Sequence, residues 1–130
     1  MKLVLEQEHF LYSSDSYADD LPYWIEGETK PHLIIPYSLE TNDMKFATNQ
    51  GFNNADHFFT YLKDCFDTLY KEGESEPKMM SVGLHCRLIG RPARFAALVR
   101  FLDYIQSFEQ VWVCKREEIA NHWYEFHLDK

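Results

Sequence analysis

The chain has 130 residues, the size of one folded domain, and its 45% hydrophobic and 16% aromatic content excludes an intrinsically disordered protein. The formal net charge of −8 excludes a general nucleic-acid binder, because there is no surplus of lysine and arginine to neutralise phosphates. No apolar run reaches the length of a membrane span, and Glu6 and Glu8 interrupt the N-terminal segment too early for a signal peptide. We therefore expect one domain, residues 1–130, in the cytoplasm, with neither a nucleic-acid nor a membrane partner.

The first third of the chain is rich in loop residues. Residues 1–12 predict the end of a helix that runs into a short strand, and residues 13–31, rich in Ser, Asp, Gly and Pro, predict a long loop. Long loops without structure of their own are uncommon in compact domains unless they are functional. This loop also contains Tyr17, Tyr23 and Trp24, which are unusual in a solvated linker. Residues 32–37, HLIIPY, predict a strand, and a second loop follows them.

Three amphipathic helices are predicted in the remainder. The clearest spans residues 54–72, capped by Asn53 or Asn54 and followed by Gly73, with an apolar face of Phe58, Leu62, Cys65, Phe66 and Leu69. The second begins at Pro92, a favoured first-turn residue, and its apolar positions are Phe95, Leu98, Val99, Leu102 and Ile105. After a strand at residues 110–114, the third spans residues 116–126, and its inward positions are Ile119, Trp123 and Phe126.

The stretch from Met79 to Phe95 has the densest local organisation. A short apolar strand ends at His85 and Arg87, passes a turn at Gly90 and enters the second helix. Side chains at the carboxyl end of a strand are where α/β proteins usually mount their chemistry. Because strands alternate with helices, the pattern predicts an α/β fold with parallel strands. Three or four strands are few for a self-sufficient parallel sheet, so we expect part of a larger α/β layer or barrel.

The metal-ligating residue types are scattered. Cys65, Cys86 and Cys114 are odd in number and widely spaced, which favours buried reduced thiols over a disulfide framework or a zinc site. His57 and His122 lie on predicted amphipathic helices, where surface or packing roles are expected. No pair of His or carboxylate residues has zinc-ligand spacing, so no metal site is predicted on this chain.

The residues alone leave the roles of the polar candidates open. His85 suits proton transfer near neutral pH, but a histidine hydrogen-bonded inside a loop fits the same pattern. Arg87 could hold a carboxylate or phosphate group, or it could form a surface salt bridge with one of the many acidic residues. Tyr23 and Trp24 could pack against a ring of a substrate, or they could fill the rim of a barrel or an interface.

The stretch SVGLHCRLIGRPARF resembles the NodB-type polysaccharide deacetylase family, in the branch with allantoinase-like and peptidoglycan-deacetylase-like enzymes. Three further blocks agree in the order of the family, namely FLYSSDSYADDLPYW, LIIPYSLETNDMKF and FLDYIQSFEQVWVCKREEIANHW. The resemblance implies a distorted (β/α) barrel of which this chain is the carboxyl-terminal half. The Asp-Asp block of the family's first strand, which supplies the catalytic base and a metal ligand in metal-dependent members, does not occur in these residues, and neither do the His-x-x-x-His pair and the Arg-Ala-Pro block.

The resemblance also implies roles for particular residues. His85 would act as a general acid or would polarise the reacting carbonyl, and Asp43 would orient it as a second catalytic residue. Met44 stands where an aromatic residue is common in the family. Arg87, together with Asp19, Asp20, Tyr23 and Trp24, would bind substrate. Zinc or another divalent metal would be present only with the missing amino-terminal half.

Two functions of different classes follow from the resemblance. The first is part of a carbon–nitrogen hydrolase that acts on an N-acetylated sugar or a cyclic ureide once the missing half completes it, the isolated chain being inactive. The second is a catalytically inactive, truncated family member that acts as an oligomeric interaction or structural module. The expected partners are a second copy of the chain or a separate amino-terminal half-barrel, together with a small-molecule or glycan substrate.

Overall fold

A computed structural model describes residues 9–27 and 29–128, so the prediction for residues 1–12 falls partly outside the described residues. The chain divides into two compact units. The first unit contains the described residues up to Tyr37 and those from Trp112 onward, and the second is Ser38–Val111. The expectation of a single domain for residues 1–130 stays a prediction.

A small mixed sheet forms the first unit together with one helix. Its strands are β1 (Tyr12–Ser13), β2 (Tyr23–Ile25) and β3 (His32–Ile34), in the order β1-β3-β2. The central strand β3 pairs in parallel with β1 and antiparallel with β2. Leu33, Ile34 and Ile35 have no exposed surface, so this apolar run forms the core of the unit.

The strand predicted at residues 32–37 is confirmed in part as β3. The loop predicted for residues 13–31 is wrong at β2, because Tyr23–Ile25 pairs with β3 along its whole length. The order in residues 9–27 and 29–128 is also not the predicted alternation of parallel strands with helices: β1, β2 and β3 precede the α-helices described there, and one of the two strand pairs is antiparallel.

Helix α4 of the first unit spans Arg116–Phe126, as predicted. Arg116 at its first turn donates hydrogen bonds to the Ser14 hydroxyl at 2.9 Å and to the carbonyls of Ile35 at 2.9 Å and Pro36 at 3.1 Å. These contacts hold the start of α4 against the segments that follow β1 and β3. The burial of Phe126 was predicted wrongly, since its side chain is 63% exposed.

The second unit is built on two long helices, with the short helix α2 between them. Helix α1 spans Ala55–Glu72, α2 spans Cys86–Ile89 and α3 spans Pro92–Ile105. The Asn54 side chain accepts a hydrogen bond from the His57 amide at 3.0 Å and thereby caps α1, and Pro92 begins α3. Helices α1 and α3 pack on each other through buried apolar side chains, namely Phe58, Leu62 and Phe66 of α1 and Ala97, Leu98, Phe101 and Ile105 of α3.

The apolar face predicted for α3 is only half right. Leu98 and Ile105 are buried against α1, but Phe95, Val99 and Leu102 are 55%, 38% and 39% exposed. At 100° per residue the five residues span an arc of only about 120°, but the side of α3 that packs on α1 is centred about 90° away, on Ala97, Leu98, Phe101 and Ile105, so α1 covers one edge of the predicted face.

The strands predicted at residues 79–84 and 110–114 do not form within the part of the chain that the structure describes. A strand exists only where a neighbour pairs with it, and residues 79–84 form a single parallel bridge, between Gly83 and Asn42. Residues 111–115 are irregular. The described residues therefore form a mixed α/β fold with a small sheet.

Candidate functional site

Asp43 is the first residue of a 3₁₀ helix, Asp43–Ala47, in the second unit. The preceding Asn42 caps this helix, because its side-chain oxygen accepts a hydrogen bond from the Met44 amide at 2.9 Å. Its side-chain nitrogen donates to the Ser38 carbonyl at 3.1 Å. Asn42 and Asp43 have no exposed surface, so the local turn chemistry fixes the direction in which Asp43 leaves the backbone.

The loop with Asp43 is tied to the segment that leads to His85. The Gly83 amide donates to the Thr41 carbonyl at 2.9 Å, and the Asp43 amide donates to the Gly83 carbonyl at 3.0 Å. The Thr41 hydroxyl donates to the Ser81 carbonyl. This short parallel pairing places Asp43 beside His85, which follows Gly83 by two residues.

Asp43 and His85 form a hydrogen-bonded pair. The Asp43 Oδ1 atom lies 2.7 Å from His85 Nδ1, and Oδ2 accepts a hydrogen bond from the His85 amide at 2.8 Å. The His85 carbonyl accepts from the Leu88 amide at 2.8 Å and from the Ile89 amide at 3.0 Å, which begins α2. Both the backbone and the ring of His85 are therefore held in place.

The two members of the pair differ in exposure. The side chain of His85 is 50% exposed, whereas that of Asp43 is 0% exposed. A carboxylate at Nδ1 holds the proton on that nitrogen, which leaves Nε2 as the ring nitrogen for proton exchange with a bound molecule. A buried carboxylate behind a half-exposed imidazole is the arrangement that fixes the tautomer and orientation of a histidine in general acid–base catalysis.

Arg87 lies on α2, two residues after His85, and its side chain is exposed. It forms neither a hydrogen bond nor an ion pair with any of residues 9–27 and 29–128, so the alternative of a surface salt bridge has no partner there. Its role in binding substrate stays a prediction.

Asp19 and Asp20 are exposed residues of the first unit. Asp19 Oδ1 accepts hydrogen bonds from the amides of Asp20 at 2.7 Å and Leu21 at 3.3 Å, which shapes its own turn. A predicted role for both carboxylates in substrate binding remains a prediction.

Tyr23 and Trp24 lie on β2 and are engaged within the first unit. The Tyr23 hydroxyl lies 2.7 Å from the Ser16 hydroxyl. Trp24 Nε1 donates to the His127 carbonyl at 2.7 Å, and the Trp24 ring packs edge-on against Tyr124 of α4 at 4.8 Å. These contacts support the packing alternative for Trp24, while the substrate role of both residues stays a prediction.

Cys65, Cys86 and Cys114 all lie in the described ranges, and none of them forms a disulfide bond there. Burial of all three was predicted wrongly, since Cys86 is exposed at the start of α2. Burial raises the pKa of the Cys114 thiol. His57 is exposed on α1, and the His122 ring packs against neighbouring aromatic rings, including Phe126 at 4.8 Å.

The described residues hold no cluster of metal-ligating side chains. Across the described ranges, no group of three or more His, Cys, Asp or Glu side chains is placed to hold a metal ion. The donors of this part of the chain therefore do not form a metal centre by themselves, and no chemical step can be derived through one.

Asn42 and Thr41, which position Asp43, were not predicted as site residues. The signal was present in the letters Thr-Asn-Asp, because Asn and Asp are favoured caps of a helical turn. The bridge from Asn42 to Gly83, about 40 residues away in sequence, could not be predicted from these neighbouring residues.

The sequence is similar to that of a known protein. The chain is 51% identical over 122 residues to a Schizosaccharomyces pombe protein that has the name of a polysaccharide deacetylase. The alignment covers 86% of this chain and 38% of that relative. The chain is homologous to the polysaccharide deacetylases. No family model matches the sequence.

The fold of the chain is also similar to that of solved protein structures. The crystal structure of PuuE allantoinase and that of a polysaccharide deacetylase homologue from Pseudomonas aeruginosa PAO1 are each 60% identical to this chain, with TM-scores of 0.95 and 0.94. Each match covers 98% of this chain and 43% of the other. A Mycobacterium smegmatis structure at 24% identity, with a TM-score of 0.84, shares the fold. The resemblance to polysaccharide deacetylases is confirmed, and the chain spans less than half the length of these relatives.

None of the helices in the described residues is long and apolar enough to cross a membrane.

Proposed function

We propose that this chain supplies the histidine–aspartate pair of a carbon–nitrogen hydrolase of the polysaccharide deacetylase family. The observation that carries the proposal is the contact of the buried Asp43 carboxylate with both the ring and the amide of the half-exposed His85. Homology to polysaccharide deacetylases narrows the reaction to hydrolysis of an amide bond other than a peptide bond.

In the proposed reaction, water adds to an amide carbonyl carbon, the carbon–nitrogen bond breaks and the leaving nitrogen takes a proton. His85 Nε2 donates that proton, while Asp43 holds Nδ1–H and stabilises the imidazolium form. The base that activates the water lies in the part of the fold outside this chain. Ligands for zinc or another divalent metal, where one is used, lie there too.

The proposed substrates are an N-acetylated sugar or a cyclic ureide. The support comes from the relatives, one of which is named as a polysaccharide deacetylase and another as an allantoinase. Arg87, exposed next to the pair in sequence, is proposed to bind an acidic or carbonyl group of the substrate. Asp19, Asp20, Tyr23 and Trp24 are proposed to bind substrate.

In this proposal the chain is part of a (β/α) barrel. The support is that residues 79–84 and 110–114 have strand-like sequences yet lack a sheet within residues 9–27 and 29–128. In a closed barrel each strand has two neighbours, and the remaining half of the fold would provide them.

The experiment uses the isolated chain and a deacetylase chimera. In the deacetylase chimera, this chain replaces the matching 43% of the Pseudomonas aeruginosa relative. We expect the isolated chain to be inactive, and the chimera to release acetate from N-acetylglucosamine oligomers or to open the ring of allantoin. His85→Ala in the chimera should lower turnover roughly 10²–10⁴-fold, the usual contribution of a general acid. His57→Ala, at an exposed histidine of α1, is the matched control and should leave turnover unchanged.

Two results would contradict this proposal. One is a chimera that turns over neither substrate, and the other is a chimera whose turnover is equal with and without His85. Turnover by the isolated chain would contradict the need for the remaining half.

The second candidate function is a catalytically inactive module that associates with itself. The observation that favours it is the set of exposed apolar side chains on both units, among them Phe95, Trp112, Val113 and Phe126. Light scattering after size exclusion tests it: a stable oligomer of the isolated chain, together with an inactive chimera, would support the module, and a monomer would oppose it.

A further inference from the structure

The sequence on both sides of His85 is basic, although the chain as a whole is acidic. Residues 77–102 contain five of the 13 Lys and Arg residues of the chain and none of its 21 Asp and Glu residues. The formal net charge of the whole chain is −8, so this segment reverses the charge locally. Positive charge beside a binding site raises the local concentration of anions, so the partners of these five side chains bear on the substrate.

Three of the five basic side chains are engaged within the second unit. The contacts are those of Lys78 with Glu72 at 3.6 Å, Arg94 with the Leu88 carbonyl at 3.2 Å and Arg100 with Asp56 at 2.6 Å. Arg87 and Arg91 are the other two, and both are exposed. Neither guanidinium group forms a hydrogen bond or an ion pair with any of residues 9–27 and 29–128. We name Arg87 and Arg91 the arginine pair.

The arginine pair stands on a turn with a fixed backbone. The Gly90 amide, between the two arginines, donates to the Cys86 carbonyl at 3.2 Å. A Cβ atom at position 90 would lie 2.4 Å from that oxygen, so this close approach requires glycine. Two residues four apart, at about 100° per residue, lie about 40° apart around a helical turn, so the two side chains leave it on the same side. Like charges at this spacing repel each other, and an anion bound between them offsets the repulsion.

We propose that the arginine pair binds an anionic oxygen group of the substrate, a carboxylate or a phosphate. The substrate of the hydrolase is then an anion rather than a neutral sugar or ureide. The inference rests on the proposed function, in which His85 acts on an amide of the same molecule. A helical turn is about 10–12 Å across with its side chains, so a substrate of one or two rings can contact both His85 and the arginine pair. A guanidinium group donates two parallel hydrogen bonds to either anionic group, which gives the recognition its geometry.

Steady-state kinetics of the deacetylase chimera test the preference for an anion. The substrates are matched sets: N-acetylglucosamine with N-acetylmuramic acid and N-acetylglucosamine 6-phosphate, and hydantoin with hydantoin-5-acetic acid. On the ring type that the chimera hydrolyses, we expect a charged member to have a KM roughly 10-fold or more below that of the neutral member, because a charge-assisted hydrogen bond contributes at least this much. Added salt should raise the KM of the charged member alone, since it screens the attraction. Equal KM values for neutral and charged members would overturn the inference.

Variants of the arginine pair assign the preference to these two side chains. Arg87→Gln and Arg91→Gln should each raise the KM of the charged member roughly 5-fold or more, and should leave its kcat and the KM of the neutral member within about 2-fold. Arg87→Lys keeps the charge but not the fork, so it should retain part of the preference. Lys71→Gln removes the same charge from an exposed residue of α1 and is the matched control. An unchanged preference in both glutamine variants, or an equal loss in the control, would count against the arginine pair.

Binding without turnover separates this inference from the proposed function. Calorimetry with the charged probes is performed on the isolated chain and on the His85→Ala chimera. An inactive chimera that binds a charged probe through the arginine pair would refute only the proposed function, and His85-dependent turnover without a preference for charge would refute only the anion subsite. Absence of binding in both proteins would overturn the inference. An oligomer of the isolated chain that Arg87→Gln dissociates, with no binding of the probes, would assign the arginine pair to a second copy and would also overturn it.

Discussion

Removal of the Asp43 carboxylate should destabilise the second unit strongly. Asp43→Ala eliminates the hydrogen bonds to His85 Nδ1 at 2.7 Å and to the His85 amide at 2.8 Å. A hydrogen bond to a charged group contributes about 1.5–3 kcal/mol. The His85 ring is half exposed, so water replaces part of its bond, and we expect a total loss of about 3–4 kcal/mol in the free energy of unfolding.

Asp43→Asn should separate stability from chemistry. The amide oxygen still accepts from the His85 backbone amide, and its NH₂ group donates to Nδ1 once the imidazole proton moves to Nε2. We expect a loss of about 1 kcal/mol, because one charge-assisted hydrogen bond becomes neutral. The tautomer, however, is inverted, so Nε2 carries the imidazole proton and Nδ1 accepts a hydrogen bond.

Urea unfolding at neutral pH measures the two losses, and nitrogen chemical shifts of the imidazole report the tautomer. Asp64→Ala removes an exposed carboxylate of α1 and is the control, with an expected change within about 0.5 kcal/mol. The reasoning is refuted if Asp43→Ala changes stability by no more than the control, or if Asp43→Asn keeps the proton on Nδ1.

The other predictions concern capping and pH. Asn54→Ala should lower the free energy of unfolding by about 1 kcal/mol through the lost cap of α1, measured by urea unfolding; an unchanged midpoint would contradict it. Burial lowers the pKa of His32 below 6.5, and this effect outweighs that of nearby Asp15, which raises the pKa. The contribution of His32 to stability is therefore present above about pH 6.5 and lost as the pH falls. His32→Gln should make the melting temperature fall less steeply between neutral and acid pH, and an unaltered fall would speak against this. The hydrogen bond to Glu40 raises the pKa of Tyr61 to about 12, so that contribution is present below pH 10 and lost towards pH 12; Tyr61→Phe should abolish that alkaline loss in a melting series.

Helices were the part of this fold that local sequence predicted best. The bounds of α3 and α4 agree with the predicted ones, and Asn54, Pro92 and Gly73 stand at the ends where their backbone preferences place them. The physical reason is that caps, proline and the period of apolar residues act within one or two turns of the chain.

Strands were predicted poorly for the opposite reason. Trp24 lies in a strand within a predicted loop, because β3 happens to lie beside it, whereas Val113 lacks a strand although its sequence favours one. Pairing depends on which segment lies alongside, and that segment is distant in sequence. Likewise, Phe126 follows a helical apolar pattern yet is exposed, because exposure depends on what covers the helix.

The candidate site divides in the same way. His85 was predicted from its position at the end of an apolar run, and Asp43 was predicted as its partner from the resemblance to a family. The folded structure was needed to show that Asp43 is fully buried, that it holds both the ring and the amide of His85, and that Asn42 and Gly83 position it. Local turns depend on residues that are neighbours in sequence, so they can be predicted from the sequence. A hydrogen bond between residues 42 positions apart depends on the tertiary fold, which brings the two segments together.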